Sequence, residues 1–135
     1  MRKEILIVVA LTCLLSLNAF AGSSYKALGE NPPEEGSALA VFLLFAEACE
    51  ERNIESMKQY GGSTYKFMLE NSPAAVDHLN DLYGKIDFER PFLYRITETE
   101  DGALLRILCF LKGADERKNI HVNLKNDDDA WSVGS

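Results

Sequence analysis

Only two histidines, His78 and His121, are available to this chain of 135 residues as acid–base groups near neutral pH. His78 follows Asp77, but adjacent residues on a helix point about 100° apart, so the two are not a preset dyad. His121 shares its strand face with Asn123 and Lys125, the pattern of an exposed strand position. Tyr60, Tyr65, Tyr83 and Tyr94 fall on or beside apolar faces, and a buried phenol needs a hydrogen-bond partner. They are therefore the candidates to line a pocket with inward hydroxyls, the alternative being large core residues satisfied by backbone carbonyls. Arg106 interrupts a run that is otherwise apolar on both faces. It either snorkels to the surface or is a buried cation offered to an anionic ligand. Asp127, Asp128 and Asp129 lack the spaced loop ligands and distal bidentate acid of a calcium site and read as a hydrated turn. No metal and no cofactor is expected. The chain holds no Ser/His/Asp order, nucleophile elbow, phosphate loop, paired-cysteine zinc motif or dinucleotide fingerprint.

The cysteines bear on compartment. Arg2 and Lys3, an almost unbroken apolar stretch over residues 5–17, and Ala19-Phe20-Ala21 make the three regions of a secretory signal peptide over residues 1–21, cut after Ala21. The apolar stretch is shorter than the roughly 20 residues of a membrane span, so no span is expected after cleavage. A periplasmic or secreted location follows. Cleavage removes Cys13 and leaves Cys49 and Cys109, an even count in an oxidising setting. Each sits among apolar residues, so a disulfide or two separate buried thiols both fit, with the compartment favouring the bridge.

These side chains need elements to position them. Residues 22–33, with Pro32-Pro33, read as a flexible leader ahead of a single domain over 34–135. A helix beginning at Pro33 or Glu34 and running to about Arg52 places Ala38, Phe42, Phe45 and Cys49 on one face. Shorter helices are expected over residues 54–60, with Ile54, Met57 and Tyr60 inward, and over 64–70. Ser72-Pro73 then reads as cap and first residue of a helix that buries Val76, Leu79, Leu82 and Tyr83 and stops at Gly84. From Arg90-Pro91 the apolar period changes from 3.6 to 2. Strands are expected around 92–97, 103–111, 120–125 and 130–133, joined by tight turns. The order predicts an α+β fold, N-terminal helices packed on a curved antiparallel four-stranded meander.

Composition narrows the partners. A formal charge of −7 and a pI near 4.8 exclude a nucleic-acid binder built on a basic surface. At 47% hydrophobic and 26% charged, the chain is a folded globular protein, not a disordered one.

The long first helix with its Phe42-to-Cys49 face and acidic end, the Gly61-Gly62 break, a further helix, then strands closing on an acidic turn and Trp131 resemble the NTF2-like superfamily. The closer similarity, over about residues 34–133, is to small exported bacterial proteins of the DUF4878 and lumazine-binding-like type. The resemblance implies a cone in which the sheet wraps the first helix and leaves a ligand pocket, lined here by Tyr60, Tyr65, Tyr83, Tyr94 and Arg106. It also implies a homodimer through the outer sheet face, although Arg95 and Thr97 make that face polar for an obligate interface. The function expected is a non-catalytic module binding a small apolar ligand or a protein partner. The alternative is a small isomerase- or hydratase-type enzyme in which Asp77 or His78 works with a Tyr94 donor.

Overall fold

The computed structural model describes residues 24–134. The segment expected to be a signal peptide, residues 1–21 with Cys13, lies outside the described residues. After a two-residue strand β1 (Lys26–Ala27), four helices follow: α1 (Ala38–Glu51), α2 (Ile54–Tyr60), α3 (Ser63–Asn71) and α4 (Ala75–Tyr83). The chain then runs through β2 (Leu93–Glu98), β3 (Gly102–Phe110), β4 (Arg117–Asp127) and β5 (Ala130–Val133). All five strands form one antiparallel sheet in chain order, so the fold is α+β.

The sheet thus has five strands where four were expected. The extra one comes from the segment read as a flexible leader: Lys26 pairs with Tyr94 and Ala27 with Leu93. Two residues are too few for an alternating pattern to be visible in the sequence. The first helix starts later than expected, because Gly36 takes a left-handed φ of 79° and Ser37 caps the helix by accepting from the Ala40 amide. It ends where Arg52, also left-handed at φ 56°, donates its amide to the Ala48 and Cys49 carbonyls. Ser72-Pro73 does not open the fourth helix. Ser72 closes α3 through the Met68 carbonyl, and α4 begins at Ala75.

Register decides which face of β3 is inner, a choice the near-equal apolarity of both faces left open. Ala103, Leu105, Ile107 and Cys109 are buried and face the same side as Tyr94, Ile120, Val122 and Leu124 on the neighbouring strands. All of these but Ala103 join Phe42, Phe45, Met57 and Leu79 from the helices in one core cluster. Phe42, Phe45, Leu105 and Ile107 are wholly inaccessible, so large side chains fill the helix–sheet interior. Ile54 and Leu82, expected inward, are about two-fifths exposed. Asn80 is the buried polar residue of the described core. Its Nδ2 donates to the Cys49 carbonyl at 2.9 Å and so satisfies the C-terminal end of α1.

Candidate functional site

The residues of the enzymatic alternative do not converge. Asp77 and His78 lie exposed on α4, and Asp77 pairs with Arg52. Tyr94 is buried on β2 and donates its hydroxyl to the Asn31 carbonyl at 2.9 Å, pinning the segment after β1. Among the described residues no group of three His, Cys, Asp or Glu side chains is arranged to hold a metal ion. Asp128 and Asp129 occupy left-handed backbone at φ 52° and 64°, forming the two-residue loop between β4 and β5.

Cys49 and Cys109 are both wholly buried and both free, so the disulfide favoured by the compartment argument is absent from the described residues. Burial pushes the Cys49 thiol up to about 12 and the Cys109 thiol up to about 11, because a thiolate in an apolar core is poorly solvated. They pack as small hydrophobes.

Of the four tyrosines, Tyr65 and Tyr83 meet. Their hydroxyls lie 3.2 Å apart, and their rings pack on Phe45 in a cluster with Phe42. Burial, and then the Tyr65 hydrogen bond, hold the Tyr83 phenol above its ordinary range, so it stays a neutral phenol. The pair opens onto a cleft of about 250 Å3 lined also by Thr64, His121, Asn123 and Gly134. Tyr60 is half-buried and packs against the core. A second, more apolar cleft of about 390 Å3 lies between Leu28, Leu43 and Phe88, with Glu47 and Glu50 at its rim.

Arg106 belongs to neither cleft. It stands on the outer face of the sheet with Leu104, Leu108 and Phe110, all half-buried. Leu93 and Arg95 of β2 and His121 of β4 share that face through the register. Arg95 lies over the Tyr25 ring at 5.4 Å, while Arg90 and Arg117 flank the Phe110 ring at 4.6 and 5.8 Å. Arg90 is itself held by Asp87 and donates to the Ala114 carbonyl at 2.7 Å. No helix among the described residues covers this face, because the apolar helix faces are all committed to the inner side. What the arrangement offers chemically is a broad surface of leucines with aromatic and arginine side chains, the latter two being types enriched at protein–protein interfaces.

Sequence reasoning singled out Arg106 for interrupting an apolar strand. The neighbours that give it meaning, Arg95 and His121, become visible only when three strands are in register. Against this geometry, a comparison of the chain with protein-family models, with curated proteins and with solved structures finds no match in any of the three.

Proposed function

We propose that this chain is an exported, non-catalytic module of the NTF2-like type that docks a protein partner on the outer face of its sheet. The observation that carries the reading is the outer face, which no helix among the described residues covers and where Leu93, Leu104, Leu108 and Phe110 alternate with Arg95 and Arg106. A sheet face that met only water would gain nothing from four large apolar side chains, whereas an interface gains from each. The element order, with helices preceding an antiparallel meander, supports the NTF2-like assignment. The scatter of Asp77, His78 and Tyr94 weighs against the isomerase or hydratase alternative.

A photo-crosslinking residue placed at Leu108 should give a discrete adduct in the exporting host. The same residue at Phe67, two-thirds exposed on α3, should not. Equal labelling from both positions, or from neither, counts against sheet-face docking.

A second reading, a small apolar ligand, rests on the cleft between Leu28, Leu43 and Phe88. A small molecule retained by the exported protein in native mass spectrometry, and lost on Leu43→Glu substitution, would favour it.

A further inference from the structure

Leu43, Glu47 and Glu50 follow one another on α1 at spacings of four and three, so they share one side of the helix, and that side lines the apolar cleft of about 390 Å3. The rest of the cleft is built in advance. Leu28 is pinned by its amide, which donates to the Phe92 carbonyl at 2.9 Å, and Phe88 stacks on the ring of the buried Phe92 with centroids 5.3 Å apart. Phe88 nevertheless stays 41% exposed, an aromatic side chain held open to contact. Fixed apolar walls around a space of this size suit a small molecule. The charges at the rim define which kind. α1 has no basic residue in its last turn, and Glu47, Glu50 and Glu51 crowd the end at which the helix dipole is already negative. Glu50 is answered by Lys112 at 2.7 Å. That ammonium also lies in the field of Asp87 and Glu89, and the Glu50 hydrogen bond and these charges hold its pKa above the ordinary range. Arg90, the cation beside Glu89, is taken up by Asp87 at 2.9 Å and by the Ala114 carbonyl. The Glu47 carboxylate has no ion-pair or hydrogen-bond partner among the described residues. Four carboxylates, Glu47, Glu50, Asp87 and Glu89, thus stand against two cations, Lys112 and Arg90, and the rim is negative.

We propose that this cleft binds a small cationic amphiphile, with its apolar body against Leu28, Leu43 and Phe88 and its ammonium group on Glu47. The inference rests on the small-ligand reading above and adds the charge of the ligand. An ammonium group at the rim donates to the unpaired carboxylate and opposes the negative end of α1, so one group answers both. A neutral ligand of the same length fills the same walls and leaves Glu47 as it was, and a carboxylate-headed one is repelled by the rim. Three apolar side chains around about 390 Å3 hold one small body. A docked helix or a second copy of the chain needs a wider apolar area than they supply.

The test titrates decylammonium, 1-decanol and decanoate, each below its micellar range, into a protein produced from Gly22 onward, so that the apolar stretch of residues 5–17 does not compete, and reads binding by calorimetry. Decylammonium should bind at least about threefold more tightly than decanol, and decanoate more weakly than either. Glu47→Gln, a change at an exposed position, should remove most of that preference while leaving decanol binding and the far-UV circular dichroism unchanged. The preference should also shrink as salt rises. Equal affinity for decylammonium and decanol, tighter binding of decanoate, or an ammonium preference that survives Glu47→Gln in full overturns the proposal. So does tighter binding of an alternating Lys–Leu peptide than of decylammonium, which would make the cleft a polypeptide site, and so does self-association in sedimentation abolished by Leu43→Glu. If decylammonium and decanol bind equally and Leu43→Glu abolishes both with the circular dichroism unchanged, the small-ligand reading stands and only its charge preference fails. If none of the three amphiphiles binds, both readings fail together.

Discussion

Two thiols and a phenol locked inside the core set how this protein responds to alkali. In the unfolded chain a cysteine titrates near about 8.5 and a tyrosine near about 10. In the folded chain Cys49 is pushed up to about 12, Cys109 to about 11, and Tyr83 also upward. Each group is thus harder to ionise when folded, so its stabilising contribution is complete below the unfolded value and drains away as pH rises toward the folded one. Urea midpoints should hold steady to about pH 8 and fall progressively above it, and a Cys49→Ala, Cys109→Ala double variant should show a shallower fall. The same burial makes both thiols inert. In a protein produced from Gly22 onward, a thiol reagent should find none in the native state at about pH 8 and two after denaturation without reductant, whereas a single reactive thiol in the native state would contradict the packing described.

Most elements were legible in the sequence because their apolar periods are long. The face of α1 from Ala38 to Cys49, the limits of α2 and the alternation in β2, β3 and β4 emerge much as the spacing suggests. What the periods cannot carry is the boundary chemistry. Ser37, not the Pro32-Pro33 pair, opens α1, because the left-handed Gly36 turns the chain just ahead of it. β1 is two residues long and exists only through its pairing with β2. The site was legible in part for a related reason: Tyr65, Tyr83 and Arg106 were singled out by type, but which of them meet depends on packing between elements far apart in sequence. The aspartate run was legible as a turn, but its backbone conformation was not. Asp128 and Asp129 both take positive φ in a two-residue hairpin loop, the backbone that Asn-Gly adopts with least strain. Replacing them as Asp128→Asn and Asp129→Gly should therefore stabilise the fold by about 0.5–1 kcal/mol, partly by relieving strain and partly by thinning a cluster of like charges. Thermal melting decides it, and a lower midpoint in the variant would show that the aspartates are held there by something other than turn geometry.

At the scale of the whole molecule the architecture is two-sided. Helices and the inner sheet face consume the large apolar side chains from Phe42 to Val133 in one cluster, and the outer face is left with a surface of its own. The formal charge of the chain is −7. Its acidic residues crowd the helices and loops, with Glu47, Glu50 and Glu51 along α1 and Asp77 and Asp81 along α4. Charge is thus spread unevenly over the surface, and a charged matrix meets one patch rather than the average. At about pH 6, above the pI near 4.8, a net-charge argument sends the protein through a sulfonate resin unretained. The cationic sheet face instead predicts retention at low ionic strength, elution by about 0.1 M salt as the Debye length contracts to about 10 Å, and flow-through for an Arg95→Gln, Arg106→Gln variant. The molecule should therefore bind anion and cation exchangers alike, meeting each with a different side.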